Sequence, residues 1–270
     1  MKKGRAVCLL FILILLCPAA RGEEMPKWDY PLAPDILEDY DQYITLANQD
    51  NLLSSDYIPK DLVSTSVKRA KGTDRMQLRK AASEALTAMF EAAAADGYTL
   101  YLKSAYRAYS TQKFMYNSRL EKNNGKDDGL VSYPGASDHQ TGLGVDILNY
   151  AWTLKDGMNK DFALTEEAQW MEKHCQEYGF VLRYMSDKEE ITQIKFEPWH
   201  FRYVGKEAAV YMMENHLSLE EFTEEWQSYV SSFEAQGVTL KQFILWRDRI
   251  RPVTIMDYAP DGEEEYSIFY

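Results

Sequence analysis

Residues 137–146 read Ser-Asp-His-Gln-Thr-Gly-Leu-Gly-Val-Asp, a stretch in which two metal-binding residue types flank two glycines. His139 and Asp146 are seven positions apart. Gly142 and Gly144 would let the chain turn tightly between a loop and a strand, so that both side chains point at one ion. The stretch therefore predicts a metal site where a strand, predicted over 145–148, begins.

A third metal ligand is predicted in a distant segment, residues 197–200, which read Glu-Pro-Trp-His. Zinc is bound by histidine nitrogen and carboxylate oxygen, and a catalytic zinc keeps three protein ligands and one open position for water. His139, Asp146 and His200 would supply those three ligands. The same donors could also accept other divalent ions, so zinc is an inference from the donor set.

Two further residues are expected to carry chemistry beside the metal. Glu197 stands three positions before His200 and would take a proton from the attacking water and later give it to the leaving amine. Because positions 197 and 200 of a flat strand would face opposite sides, Pro198 is expected to mark a bend. Arg107 follows a strand predicted over 99–102 and could stabilise the oxyanion that forms at the scissile carbonyl.

The order and separation of these segments resemble a known family. His139 and Asp146 stand as in the pattern S-x-H-x-x-G-x-x-x-D, and Glu197 and His200 as in E-x-W-H. Together they resemble the VanY-like D-alanyl-D-alanine carboxypeptidases, part of the LAS group of zinc peptidases. The resemblance runs over about residues 43–216. It implies one bound zinc ion and a domain with a small antiparallel sheet.

The resemblance also implies which residues hold the substrate. A serine two before the first histidine, a glutamine five after the arginine and a tyrosine before the final motif correspond to Ser137, Gln112 and Tyr184. Two positions differ from the usual sequence of the family, because Asp138 stands where Glu is common and Gly144 where Ala is common. Neither is a predicted ligand, so these differences could alter substrate preference while the metal site is kept.

The N-terminus is typical of a secretory signal. Three basic residues precede an apolar run over 7–16, and small residues at 20 and 22 fit a cleavage site, so residues 1–22 are predicted to be a signal peptide. The apolar run is too short to favour a membrane-spanning helix. Cys17 raises the alternative of a lipoprotein anchor, but Leu16 stands where a small residue would be expected. The protein is therefore expected to be secreted or held in the cell envelope.

Charge and cysteine content limit the kinds of partner that the mature chain is expected to bind. Removing residues 1–22 takes four basic and no acidic residues, which leaves 26 basic against 42 acidic residues and a formal charge of −16. This charge disfavours binding to nucleic acid or to an anionic membrane. Only Cys175 remains after cleavage, so no stable disulfide is expected and the thiol is predicted to be buried or inert.

The pattern of elements predicts an α+β fold, with a small antiparallel sheet and flanking helices around a zinc cleft. Helices are expected over 76–95, over 110–121 with Ser110 as its N-cap, and over 165–178. Residues 123–138 are expected to be a loop that could line the cleft. Strands are expected over 180–184 and 193–196, paired with each other.

The chain is predicted to divide into four parts. Residues 1–22 form the signal peptide, 23–41 a tether or surface wrap, 42–216 the zinc carboxypeptidase domain and 217–270 an extension of unknown role. Two capping-box patterns predict two helices in the extension, at Ser218 and Thr239, and a hairpin is expected over 253–270. Aromatic residues at helical spacing in these helices either pack against the domain or form a wall-binding or partner-binding surface.

The leading hypothesis is a secreted zinc carboxypeptidase that hydrolyses the terminal D-Ala of peptidoglycan stem peptides. The same scaffold could instead act as an L,D-carboxypeptidase on tetrapeptides, as a D,D-dipeptidase or as an endopeptidase. A non-catalytic cell-wall binding module is the alternative from another class, although Glu197 and all three predicted ligands are present.

Overall fold

The structure, a computed structural model, describes residues 25–38, 43–73, 76–155 and 157–250. The predicted signal peptide, with Cys17, and the predicted hairpin over 253–270 lie outside these residues and stay predictions. Within the described residues, no helix combines the length and the apolar composition that crossing a bilayer would require.

The described chain contains short strands and helices in mixed order. The strands are β1 (Leu62–Ser64), β2 (Gln77–Arg79), β3 (Leu100–Ser104), β4 (Gly144–Asn149), β5 (Phe180–Leu182) and β6 (His200–Tyr203). The α-helices are α1 (Pro34–Glu38), α2 (Lys80–Ala95), α3 (Tyr109–Lys122), α4 (Tyr150–Thr153), α5 (Glu166–His174), α6 (Glu189–Thr192), α7 (Lys206–Glu214), α8 (Leu219–Glu234) and α9 (Leu240–Ile250). Short 3-10 helices cover Asp138–Thr141, Lys160–Leu164 and Cys175–Tyr178.

The central feature is a four-stranded sheet in the order β3-β4-β6-β5, in which every neighbouring pair is antiparallel. Strand β4 lies inside the sheet and all six of its residues are buried. A separate two-stranded antiparallel sheet joins β1 and β2. The predicted α+β class with small antiparallel sheets and flanking helices is confirmed.

Helix α2 contributes much of the core. Ala82, Leu86, Met89 and Ala93 recur at helical spacing and are fully buried in the main hydrophobic cluster. Fully burying a side chain such as Leu or Met stabilises the folded state by about 1.5–3 kcal/mol relative to leaving it exposed. The face of the helix that packs into the core is therefore apolar. Its predicted range began four residues early, because β2 occupies residues 77–79 before the helix starts.

The described residues fall into two compact units. One covers residues 29–229 and contains both sheets. In this unit the Tyr30 hydroxyl donates to Glu225 at 2.8 Å, and Leu32 and Leu37 are buried. Residues 29–38 of the segment that was predicted to be a tether or surface wrap therefore pack into the larger unit. The other unit comprises residues 25–28 and 230–250, where Trp28 lies against Phe233 and Phe243.

The first part of the predicted extension belongs to the larger unit. Phe222 and Trp226 on α8 are buried there, so this part of the aromatic set packs within the larger unit, which extends to Tyr229. Both predicted capping boxes are present. Glu221 N–H donates to Ser218 Oγ at 3.2 Å while Ser218 N–H donates to Glu221 Oε2 at 2.8 Å.

Three local predictions were wrong. Helix α3 is capped at Ala108 without a side-chain hydrogen bond, so Ser110 lies within the helix. The predicted pairing of 180–184 with 193–196 does not form; β5 pairs with β6, and α6 precedes an irregular 193–199. The helix predicted over 165–178 is α-helical only from Glu166 through His174, and Thr165 caps it, since Ala168 N–H donates to Thr165 Oγ1 at 3.2 Å.

Candidate active site

Strand register brings three of the motif segments to one point of the sheet. Asp146 in β4 is the cross-strand partner of Ser104 in β3 on one side and of His200 in β6 on the other. Directly opposed residues have side chains about 4.5–5.5 Å apart, so Asp146 and His200 are neighbours because of pairing alone. Two predicted ligands therefore sit on regular backbone in the middle of the sheet.

The 3-10 helix Asp138–Thr141 delivers the third predicted ligand. It ends at Gly142, whose φ of 69° is the left-handed conformation that glycine adopts without strain. His139 Nδ1 lies 2.7 Å from the carbonyl oxygen of Ala105, which places the hydrogen on Nδ1 and leaves Nε2 free to accept. The backbone N–H of Arg107 donates to the His139 carbonyl at 3.0 Å.

The three predicted ligands form one buried cluster, and their candidate ligand atoms all lie within 4.8 Å of one another. His200 Nδ1 is 2.9 Å from Asp146 Oδ1, and His139 Nε2 is 3.4 Å from Asp146 Oδ2. Donors bound tetrahedrally to zinc at 2.0–2.2 Å are roughly 3.3–3.6 Å apart. The spacing, the burial and the donor types therefore fit a zinc ion held by His139 Nε2, Asp146 and His200 Nδ1.

Electrostatics favour the metal-binding form of two of the three predicted ligands. Burial alone would raise the pKa of Asp146, but the two histidines hold it well below its usual range, so it is a carboxylate. Burial and nearby Arg107 lower the pKa of His139, which favours the neutral imidazole. Burial alone would lower the pKa of His200, but Asp138 and Asp146 raise it to about 9. A metal at Nδ1 must displace that proton.

Glu197, the predicted general base, lies beside the three predicted ligands. Its Oε2 is 3.8 Å from His200 Nδ1, and its side chain is 13% exposed in the cleft. Burial raises the pKa of Glu197 to about 8, against the opposing effects of His200 and Arg107. A base with a pKa near neutral both accepts and returns a proton efficiently. His200 N–H donates to the Glu197 carbonyl at 3.0 Å, so residues 197–200 form the expected bend.

Arg107 is held by two side chains and points at the cluster. Its Nη1 donates to Gln112 Oε1 at 2.8 Å and its Nη2 to Ser104 Oγ at 3.0 Å, while Nη2 lies 3.9 Å from Asp146 Oδ2. Gln112 Nε2 also donates to the Ser132 carbonyl at 2.7 Å. Gln112 thus positions the guanidinium, a role in addition to the substrate contact that the resemblance implied.

A cleft of about 250 Å³ connects these groups. Every predicted site residue lines it: Arg107, Gln112, Ser137, His139, Asp146, Tyr184, Glu197 and His200. The predicted loop does line the cleft, through residues 130–132 and 137. Trp199 is also in the wall, whereas Tyr203 packs between Tyr43 and Phe180 away from it.

Sequence reasoning missed two sets of residues. Met115, Arg119 and Met158 also line the cleft, and no motif marked them. The second set is a buried ion network in which Asp138 binds Arg183 and Arg202, both 1% exposed or less. The available signal was an arginine beside apolar residues in each of two segments, 180–184 and 200–203, because arginine is almost never fully buried unless it is paired.

The remaining cysteine and histidines do not belong to the site. Cys175 is fully buried, and burial raises the pKa of its thiol to about 12. His174 pairs with Glu177, and His216 pairs with Asp187. The position of Cys175 agrees with the prediction that its thiol is buried or inert.

Comparison with known proteins gives relatives of one kind. Residues 75–206 match the VanY family, described as D-alanyl-D-alanine carboxypeptidase. YodJ of Bacillus subtilis (strain 168), whose carboxypeptidase designation is provisional, is 37% identical over 193 residues, 70% of either chain. The structure of the LdcB LD-carboxypeptidase has a TM-score of 0.63 and 36% identity, over 74% of this chain and 93% of that one. A zinc complex of the D,D-pentapeptidase VanY from a VanB-type resistance cassette has a TM-score of 0.56 and 29% identity, over 67% of this chain and 99% of that one.

The fold, the cleft and these relatives define a carboxypeptidase of the VanY and LdcB type, which acts on peptidoglycan peptides. Within that class, the chain belongs to the VanY family of D-alanyl-D-alanine carboxypeptidases, whose relatives form the LAS metallopeptidase group.

Proposed function

We propose that this protein is a zinc-dependent carboxypeptidase that removes the terminal D-Ala of peptidoglycan stem peptides. The observation that carries the proposal is the buried cluster of His139, Asp146 and His200 with Glu197 beside it in one cleft. A non-catalytic binding module would have no need for a buried carboxyl group placed beside three predicted metal ligands in the same cleft. The zinc complex of VanY supports the choice of metal.

The chain's own residues divide the chemistry between them. Zinc bound by the cluster would polarise the scissile carbonyl and make water a better nucleophile at neutral pH. Glu197 takes the proton of the attacking water and delivers it to the departing D-Ala amine. Arg107, rigidly held by Gln112 and Ser104, stabilises the negative oxygen as the carbonyl carbon becomes tetrahedral.

Substrate recognition requires donors for a free terminal carboxylate. Ser137 lines the cleft and its hydroxyl can donate, while Gln112 Nε2 retains one N–H beyond the one given to Ser132. Tyr184 is buried beside His200, with ring centroids 5.0 Å apart, and forms the wall next to the predicted metal position. These side chains would hold the last residue with its carbonyl toward Glu197.

A second candidate is an L,D-carboxypeptidase that trims tetrapeptide stems. Similarity to the LdcB LD-carboxypeptidase favours it, since identity is 36% and the TM-score 0.63, against 29% and 0.56 for the D,D-pentapeptidase VanY. Both reactions release D-Ala and use the same cluster, so they differ only in the residue that precedes the scissile bond. D,D-dipeptidase or endopeptidase action would be recognised by a different product.

The test is product analysis by mass spectrometry on pentapeptide and tetrapeptide stems, with zinc content measured on the same protein. Glu197→Gln keeps the shape of the side chain but cannot accept a proton, so turnover should fall ~10²-fold or more while zinc stays bound. D-Ala from pentapeptide alone supports the D,D reaction, and D-Ala from tetrapeptide alone supports the L,D reaction. A wild-type protein that binds no zinc and releases no D-Ala would overturn the proposal.

We also propose that the protein acts outside the cytoplasm, because its substrate is there and residues 1–22 have the pattern of a signal peptide. The net charge of −16 after cleavage supports a protein that does not bind nucleic acid. N-terminal sequencing of exported protein should begin near residue 23. A mature chain that begins with lipid-modified Cys17 would instead establish a membrane anchor.

A further inference from the structure

Asp138 is buried beneath the predicted metal cluster rather than in the substrate cleft. Its side chain is fully buried and is not among the residues that line the cleft. One carboxylate oxygen, Oδ1, accepts from Arg202 Nη1. The other, Oδ2, accepts from Arg183 Nε at 2.7 Å and lies 3.8 Å from His200 Nε2. Aspartate stands here where glutamate is common in the VanY-like family. This difference therefore affects the surroundings of the predicted ligand His200, not the lining of the substrate cleft.

The two ring nitrogens of His200 face two different acids. Nδ1 lies 2.9 Å from Asp146 Oδ1, inside the metal cluster, whereas Nε2 is buried without a hydrogen-bond partner and faces Asp138. To donate its Nδ1 lone pair to a metal, the neutral ring must carry its hydrogen on Nε2. A buried N–H is costly unless an acceptor lies nearby, and a carboxylate is the acceptor present.

The carboxylate of Asp138 is itself fixed in position. Arg202 donates to the carbonyls of Tyr43 and Thr45 at 2.9 and 2.7 Å. Arg183 donates to both carboxylate oxygens of Glu220, on α8, at 2.8 and 2.7 Å. Two acids and two guanidinium groups thus balance in charge and hold one another from four separate segments. Buried ion groups of this kind contribute little net stability, but they fix geometry.

We propose that Asp138 is a positioning residue, which holds the His200 ring in the orientation and the Nε2–H tautomer that direct Nδ1 at the metal. The inference rests on the proposed metal site. Ligand histidines commonly donate their second N–H to a carboxylate, and loss of such a partner typically costs 10–100-fold in metal affinity. Here the carboxylate is reinforced by Arg183 and Arg202, and Glu220 supports it from the helix that follows the family match.

The experiment compares Asp138→Asn with Glu220→Gln in the full-length mature protein. Both changes remove one negative charge from the same buried network, and both leave Arg183 with one acid fewer, but only Asp138 faces His200. Zinc affinity is measured by competition with a chromophoric chelator, and thermal unfolding is measured on the metal-free proteins. Asp138→Asn should weaken zinc binding ~10–100-fold, whereas Glu220→Gln should change it less than about threefold although both variants unfold at lower temperature.

A second measurement reports on the ring itself. Long-range nitrogen–proton NMR spectra of the zinc-loaded wild-type protein should show hydrogen on Nε2 of His200, exchanging slowly with solvent. This arm does not depend on whether Asp138→Asn folds. Asp138→Glu, which keeps the charge, should retain the same tautomer and most of the zinc affinity.

Equal loss of zinc affinity in Asp138→Asn and Glu220→Gln would overturn the inference, because it would reflect general loosening of the network. So would wild-type affinity in Asp138→Asn, or a rapidly exchanging Nε2 hydrogen in the wild-type protein. Failure of the proposed function looks different: wild-type protein would then bind no zinc at all. If wild-type protein binds zinc and releases D-Ala while Asp138→Asn behaves identically, only the positioning role is lost.

Discussion

Replacing Gly144 by alanine should be damaging here, although alanine is common at this position in the VanY-like family. Gly144 opens β4, and a Cβ added to it would lie 2.9 Å from Asp138 Cβ, 3.0 Å from the Asp138 carbonyl carbon and 3.1 Å from His139 N. None of these atoms is the end of a flexible side chain. The backbone of 138–139 must therefore move, and Asp138 is held in place by two arginines.

Overpacking of this kind costs about 1–3 kcal/mol. For a unit of this size, 1 kcal/mol lowers the Tm by about 2–4 °C, so the expected fall is roughly 2–12 °C. Because the displaced backbone carries His139, zinc affinity should fall as well. Circular dichroism melts with excess chelator and with excess zinc measure both effects, since a weaker site also gives a smaller zinc-induced rise in Tm.

Gly205→Ala is the matched control. No atom lies within 4 Å of its added Cβ, but its φ of +84° makes alanine strained, so it should lower the Tm without changing the zinc-induced rise. If Gly144→Ala melts like the wild type and responds to zinc equally, the 138–139 backbone yields freely, and the close-packing argument is refuted.

Three further outcomes are expected. Arg107→Lys keeps the charge but cannot reach both Gln112 and Ser104. We therefore expect kcat to fall at least ~10-fold, and more than substrate affinity does. A change confined to KM would instead assign Arg107 to binding of the substrate in its ground state. Stem peptides with an amidated C-terminus should be cut at least ~10-fold less efficiently than free acids, and comparable cleavage would argue for an endopeptidase. Because burial raises the pKa of Cys175 to about 12, the thiol stays protonated at about pH 8, and iodoacetamide should label it only after unfolding; rapid labelling of native protein would contradict its buried position.

The predictable parts were those carried by local pattern or by distinctive residue types. Helix α2 follows from apolar residues at helical spacing, and the start of α8 from the capping box at Ser218. The metal cluster could be predicted because histidine, aspartate and glycine at fixed separations have few other uses. The exact pairing Asp146 with His200 could not, since it depends on strand register, which the sequence does not specify when both faces are buried.

The errors came from long-range contacts. Residues 193–196 follow 180–184 closely and have strand-like composition, so a local hairpin was the natural prediction. The structure instead pairs β5 with one edge of β6, while the other edge of β6 pairs with β4 and places His200 next to Asp146. The ion network was missed for a similar reason, because its four charged residues are separated by up to 82 positions, from Asp138 to Glu220.

The contact between Arg183 and Glu220 bears on how this enzyme could be shortened or recombined. The family match ends at residue 206, yet a guanidinium within it depends on an acid contributed by α8. A chain cut at residue 216 would keep every predicted zinc ligand. It would lose Glu220, however, and leave the buried Arg183 with Asp138 as its acidic partner. The stretch that matches the family and the stretch that packs as one unit therefore end at different residues, and a shortened or grafted chain should keep α8 whole, through Glu234.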